Sequence, residues 1–305
     1  MNKTIHENRK AGKHDAIERV SIHGGHSGQY CSHAEDRLDQ MIEAYIAKGF
    51  RWVGITEHMP PASDRFLYPD ERAAGLDAAA IYERFARYVS ACRALQHRYK
   101  DRLTIFVGFE TEFYSGAREL IQHLIERFKP DYIVGSVHHV NDIGFDFSPE
   151  NYGQAIESAG GIEALYCRYF DVQFEMIRDL KPPVVGHLDL IRIFDPDYRQ
   201  RLEQPEIARR IYRNLSLIRD MGLILDFNVR PTYKGADEPY VSRAILFQAR
   251  ELGVAVVPGD DSHSVATVGL NIDRGIRMLQ ELGFDTRWRM PAGPVSDELP
   301  AAADP

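Results

Sequence analysis

The sequence predicts an α/β barrel of parallel strands with helices packed outside, and three observations carry that prediction. Short apolar or β-branched runs alternate with longer amphipathic ones. There are seven of the short runs within about 250 residues, which suits closure into a barrel. Histidines and carboxylates crowd just after the short runs, where parallel α/β folds carry their sites. An open doubly wound sheet shares the same periodicity and stands as the alternative.

The elements follow in order. Val20–Ile22 is the first strand run. Leu38, Met41, Ile42, Tyr45 and Ile46 then line one helix face, and Gly49 sits where a C-terminal cap would. The second, third and fourth runs are Trp52–Ile55, Leu103–Val107 and Tyr132–Val137. Ile162, Leu165, Tyr166, Tyr169, Phe170 and Ile177 form another helical stripe, stopped by Pro182-Pro183. Pro183–Val185 is the fifth run. Ile207, Ile211, Leu215 and Ile218 make a helix ending near Gly222, and Leu223–Phe227 follows as the sixth run. Ile245, Ala249 and Leu252 precede Gly253, and Val254–Val257 is the seventh run. Most runs are bounded by turn residues or polar clusters. The predicted organisation is a polar extension over residues 1–19, one barrel domain over 20–290 and a Pro/Ala-rich disordered tail over 291–305.

Composition narrows the functional classes. The chain has 305 residues, 37 basic and 45 acidic, for a net charge of −8. That balance argues against a nucleic-acid surface, which wants clustered cations. No apolar run is long enough to span a bilayer, and residues 1–20 lack the apolar core of a signal peptide. Cys31, Cys92 and Cys167 are too few and too scattered for a disulfide framework. The expectation is a cytoplasmic enzyme or small-ligand binder with no membrane partner. Neither the dinucleotide-binding nor the phosphate-loop glycine motif occurs.

Twelve histidines are unevenly spread. His6, His14, His97 and His123 fall in polar or helical surroundings, where solvated roles suffice. The other eight follow strand runs: His23, His26 and His33, then His58, then His138 and His139, then His187, then His263. Carboxylates accompany them: Glu57, Glu110 and Glu112, Asp189, Asp260 and Asp261. Mixed imidazole and carboxylate donors suit zinc, iron(II) or manganese. More donors are present than one tetrahedral ion requires, so a multinuclear site is expected, with Glu110 able to bridge two ions. Such clusters activate water and neutralise phosphoryl oxygens.

Six segments are similar, in order, to the polymerase-and-histidinol-phosphatase (PHP) superfamily and to its histidinol-phosphatase branch. They are HGGHSGQYCSHA from His23, GITEHMP from Gly54, VGFETEFY from Val107, GSVHHV from Gly135, GHLDLIR from Gly186 and PGDDSH from Pro258. The resemblance covers residues 20–282. It implies a distorted (β/α)7 TIM-like barrel with a metal site at the C-terminal ends of the strands. It also implies three divalent ions (zinc, iron or manganese) and hydrolysis of L-histidinol phosphate to L-histidinol and phosphate, a step of histidine biosynthesis. The ligands it implies are His23, His26, His33, His58, Glu110, His138, His187, Asp261 and His263. One departure stands out: the family's H-x-H opening is here H-x-x-H. Strict strand alternation would turn His23 and His26 to opposite faces, and Gly24-Gly25 could supply a bulge that restores their aim.

A phosphate ester also needs fixed cations, and Arg192 and Arg230 are the expected anchors, with Lys234 behind them. His263, acting with Asp261, is the expected aid to leaving-group protonation. Asp189, Glu57 and Asp260 are as suited to orienting a histidine as to binding an ion. Cys31 receives no ligand role, and Tyr30, Tyr233 and Tyr240 either line the pocket or pack. Two rival functions are a PHP-fold phosphoesterase for another small ester, and a catalytically weak metal-binding module.

Overall fold

The computed structural model describes residues 17–291, and all seven expected strands are among them. The elements run β1 (Val20–Gly24), α1 (Leu38–Ala47), β2 (Trp52–Ile55), α2 (Pro69–Ala73), α3 (Ala78–Tyr99), β3 (Thr104–Glu110), α4 (Ala117–Phe128) and β4 (Tyr132–Gly135). A small hairpin, β5 (His139–Val140) and β6 (Ile143–Gly144), leads to α5 (Pro149–Ala159) and α6 (Ile162–Leu180). Then come β7 (Val184–Val185), α7 (Tyr198–Leu202), α8 (Pro205–Asp220), β8 (Ile224–Asn228), α9 (Arg230–Tyr233), α10 (Arg243–Leu252), β9 (Ala255–Gly259) and α11 (Ile272–Glu281).

The seven main strands pair in parallel in the order β1-β2-β3-β4-β7-β8-β9. Each pairs with the next in the chain once the antiparallel β5–β6 hairpin is set aside. The ends of this sheet meet at the C-terminal rim. The backbone N–H of Asp261 donates to His23 O, and that of His26 donates to Ser262 O, both at 2.8 Å. These bonds bring the sheet nearly to closure, so the barrel stands and the open sheet does not.

Strand composition explains the closed form. Trp52, Val53 and Ile55 are wholly buried, as are Val184, Val185 and Leu225. Strands covered on both faces need apolar side chains throughout, and each such chain removed from water contributes about 1.5–3 kcal/mol. Outside, α1 buries Leu38, Met41, Ile42 and Tyr45, and α8 buries Ile207, Ile211, Leu215 and Ile218, the stripes read from periodicity. The 22-residue α3 starts where the Asp77 carboxylate accepts from Ala80 N at 2.7 Å.

Four strand ends depart from the expectation by two residues or more: β1 runs on to Gly24, β9 runs on to Gly259, and β3 and β4 end elsewhere too. β3 runs on to Glu110, because Gly108, Phe109 and Glu110 still pair with Tyr132, Ile133 and Val134. β4 stops at Gly135 rather than Val137, because β7 offers only Val184 and Val185 as partners before the chain turns along the rim. The expected extension and tail lie outside the described residues except for residues 17–19 and Pro291. Those first residues hold to the barrel: Arg19 pairs with Asp273 at 2.6 Å, and Glu18 O accepts from Trp288 Nε1 at 2.8 Å. Among the described residues, no helix is long and apolar enough to cross a membrane.

Candidate metal centre

The first site segment depends on a bulge. β1 pairs Ser21 with Val53 and then Gly24 with Ile55, so one extra residue is accommodated on β1. Gly25 follows with φ +48°, and a Cβ there would lie 2.7 Å from Ile55 Cδ1. This local turn brings both His23 and His26 inward, with ring centroids 6.0 Å apart. The H-x-x-H spacing therefore does not separate them.

Glu110, at the end of β3, lies at the centre. Its Oε1 is 2.8 Å from His187 Nε2 and 3.4 Å from His138 Nε2. Its Oε2 is 3.3 Å from both His23 Nε2 and His58 Nδ1. Four imidazoles from β1 and from the segments after β2, β4 and β7 thus share one carboxylate. Asp261 makes a second centre: its Oδ1 lies 3.4 Å from His26 Nε2 and 3.6 Å from His263 Nδ1. Its φ of 43° is a left-handed conformation that Asp tolerates better than most residues. The His263 ring stacks on His26 at 4.3 Å and on His33 at 5.0 Å. His33 is more exposed, with Nδ1 3.8 Å from Asp70.

These residues fit divalent ions. Buried polar atoms are normally hydrogen-bonded, yet His23 Nε2, both ring nitrogens of His26 and His58 Nδ1 have no such partner among the described residues. Two donors each about 2.1 Å from one ion at the tetrahedral angle are about 3.4 Å apart, and the 3.3–3.4 Å separations around Glu110 and Asp261 match this. Three groups have donors within 4.8 Å of one another: His23, Glu110 and His187; His23, His26 and Asp261; and His26, Cys31, His58 and His263.

The electrostatics agree. Burial disfavours a charged Glu110, but the imidazoles of His23 and His138 outweigh it and hold the carboxyl well below its usual range. Burial likewise works against charge on His23, yet Glu110 and Asp261 pull its pKa well above normal. Against the same burial, Glu110 pulls His138 up to about 9. The carboxylates thus demand positive charge, which protons or metal ions can supply. Burial lowers His263 well below normal, and neighbouring Arg230 lowers it further.

Surrounding groups orient the donors. Asp226, buried in β8, accepts from His23 Nδ1–H at 3.1 Å, which leaves Nε2 facing Glu110. Gly259 makes room for it, because a Cβ there would lie 2.2 Å from Asp226 Oδ1. Glu57 accepts from Ser27 N and Oγ at 2.8 Å and stands 3.5 Å from His26 Nδ1. Asp260 is tied to Ser21 Oγ at 2.6 Å and Tyr45 Oη at 2.8 Å. Asn228 Nδ2 donates to Asp261 Oδ2 at 3.0 Å. Glu112 accepts from Tyr68 Oη at 2.8 Å, and burial pushes its carboxyl up to about 8. His139 turns away from Glu110 and packs edge-on against Tyr114 and Phe66, so His138 is the histidine that faces the cluster.

The two expected anchors separate. Arg230 lines a cavity of about 620 Å³ over the cluster, as do Lys234 and Tyr240. Its Nη1 donates to Asp261 Oδ1 at 2.9 Å and approaches His263, while Nε and Nη2 find no acceptor among the described residues. Arg192 is not brought to the cavity. Its Nε donates to Asp189 at 3.1 Å and its Nη2 to the carbonyls of Glu238 and Pro239 at 3.1 and 2.6 Å. Its guanidinium lies 4.7 Å from the Tyr198 ring centroid and 4.5 Å from that of Tyr240. Asp189 is committed to Arg192 and to Ser242 N rather than to His187. The structure thus places Arg192 in a cage where its donors join loops, outside the cavity lining.

Sequence reasoning missed Asp226, Asn228 and the position of Cys31. Asp226 carried a signal: a carboxylate inside an otherwise apolar strand run needs a buried partner. Cys31 carried none, because only the folded loop brings its sulfur beside His26, His58 and His263.

A parallel barrel with a carboxylate-bridged histidine cluster at its C-terminal rim defines a class of metal-binding α/β barrels. The chain belongs to the PHP domain family, which matches residues 24–230. It is 34% identical over 279 residues to a Schizosaccharomyces pombe protein named "probable histidinol-phosphatase", covering 90% of each chain. It is 29% identical over 286 residues to the histidinol-phosphatase of Saccharomyces cerevisiae, covering 83% of this chain and 85% of that one. The crystal structure of the Lactococcus lactis histidinol phosphate phosphatase, complexed with zinc, L-histidinol and phosphate, superposes with a TM-score of 0.65 at 19% identity. That match covers 88% of this chain and 95% of the other.

Proposed function

We propose that this chain is a metal-dependent phosphatase that hydrolyses L-histidinol phosphate to L-histidinol and phosphate. The observation that carries the reading is the Glu110-centred cluster on the floor of a cavity walled by Arg230 and Lys234. The named relatives, which this chain spans nearly end to end, support the substrate.

The residues that would hold the ions are Glu110 with His23, His58, His138 and His187, and Asp261 with His26, His33 and His263. Nine donors suit three divalent ions, with zinc favoured by the imidazole-rich set. Such ions supply Lewis-acid charge for the phosphoryl oxygens and make water a nucleophile at neutral pH. The chain's own residues do the rest. Glu110 hydrogen-bonds His187 Nε2 and stands 3.3–3.4 Å from the rings of His23, His58 and His138, which it helps to orient. Asp226 holds the proton on His23 Nδ1, so that Nε2 presents its lone pair. Arg230 keeps Nη1 on Asp261 and offers Nε and Nη2 as a fork for phosphate oxygens. Lys234 adds a second cation on the same wall. His263, kept neutral beside Arg230, suits an ion-binding role better than that of proton donor.

The test is phosphate release by protein reconstituted with Zn²⁺, Mn²⁺ or Fe²⁺. L-histidinol phosphate should be favoured strongly over p-nitrophenyl phosphate, glycerol phosphate and phosphoserine. Equal rates across the panel would overturn the substrate, and metal-loaded protein without hydrolysis would overturn the reaction.

A further inference from the structure

Asp146 follows the β5–β6 hairpin and lines the same cavity as Arg230 and Lys234. Its Oδ1 is buried without a hydrogen-bond partner, and the carboxylate forms no ion pair among the described residues. A buried carboxylate oxygen without a donor is costly unless something else supplies one. Its backbone is firmly held. Phe145, wholly buried, donates its N–H to His138 O at 3.0 Å, and Ser148 caps α5 two residues on. The Asp146 charge acts through space on Tyr68, Tyr240 and Lys234 around the cavity. Beside it, Phe147 is 43% exposed at the cavity wall, and Leu190, Ile193 and Phe194 add apolar surface.

The cavity lining therefore combines the metal-site cluster, the cations Arg230 and Lys234, a carboxylate with a buried unpartnered oxygen, and the apolar side chains of Phe147, Leu190, Ile193 and Phe194. A phosphate monoester without other charge would leave Asp146 unpaired. An ester that also carries a primary ammonium would satisfy it, and a ring attached nearby would cover Phe147. We infer that Asp146 receives the ammonium of the substrate and makes the site selective for amino-alcohol phosphates. This inference rests on the phosphatase reading above and adds to it the residue that selects the amine.

The experiment compares wild type with Asp146→Asn on two esters, L-histidinol phosphate and 3-(imidazol-4-yl)propyl phosphate, which keeps the ring and lacks the amine. The wild-type preference for the amine-bearing ester, as a ratio of kcat/KM, should fall by about 10- to 150-fold in the variant. Inhibition by L-histidinol should weaken in parallel, with bound metal and thermal midpoint kept. Asp146→Glu should restore part of the preference. An unchanged ratio, whether both esters lose equally or neither loses, would overturn the inference. Loss of metal from Asp146→Asn would also overturn it, placing Asp146 with the ion-binding groups. Absence of wild-type turnover on either ester would instead count against the phosphatase reading itself.

Discussion

Replacing Asp226 by Asn tests how the buried strand carboxylate prepares the cluster. In the native chain Asp226 Oδ2 accepts from His23 Nδ1–H at 3.1 Å, and His23 Nε2 faces Glu110 at 3.3 Å. Asparagine keeps the shape and an acceptor oxygen but removes the charge that makes the imidazole a stronger donor to an ion. Losing such a supporting contact weakens metal affinity by about 10- to 100-fold, or about 1.4–2.7 kcal/mol. The metal-free fold should change little. Burial already pushes the Asp226 carboxyl up, so a neutral amide relieves a charge that the interior disfavours. At fixed free metal, the stabilisation that binding provides falls by the same 1.4–2.7 kcal/mol. For a chain of this size that is about 2–4 °C of melting temperature. The assay is a Zn²⁺ titration in chelator-buffered solution, read by elemental analysis and by melting of the loaded and stripped proteins. Coincident binding curves for the two proteins, or an equal drop in both melting temperatures, would refute the reasoning.

Four further outcomes are expected. Glu110→Gln removes the bridging charge, so metal per chain falls and hydrolysis is abolished, as elemental analysis and phosphate release will report. Arg230→Ala keeps the metals but lowers kcat/KM by about 10- to 150-fold. Arg192→Ala instead lowers stability by about 3–5 kcal/mol in denaturant melts, because it strands the buried Asp189 carboxylate. His23→Ala and His26→Ala lose metal to a similar degree, because the β1 bulge aims both rings at the cluster; a large difference in stoichiometry would contradict that geometry.

What the sequence made legible was whatever depends on local pattern. All seven strand runs and the stripes of α1, α6, α8 and α10 could be read, because burial imposes its period on the chain. The clustering of His26, His58, Glu110, His138, His187 and Asp261 followed from their places after strands. The β1 bulge could be raised as a possibility but not chosen, since it depends on how Ser21 and Gly24 pair with a neighbouring strand. The cage around Arg192 was not legible for a related reason. Its position after β7 suits an anchor, but Tyr198, six residues on, and Pro239 and Tyr240 from beyond β8 enclose it. Asp226 and Cys31 take their meaning from neighbours more than 20 residues away or across a loop turn, and spacing does not encode such contacts.

The barrel joins its first strand to its last through His23 O and Asp261 N, and the donors of the cluster stand on both sides of that seam. His23 and His26 come from the opening segment, and Asp261 and His263 from the closing one. A cation held between them is therefore also a clasp. Its site does not exist while the chain is still emerging from the ribosome short of β9, and a fragment lacking the last strand has only half of it. With such an ion bound, a chelator should loosen first the region where the polypeptide meets itself. The part of the cluster that needs Asp261 and His263 is thus completed last in the order of synthesis.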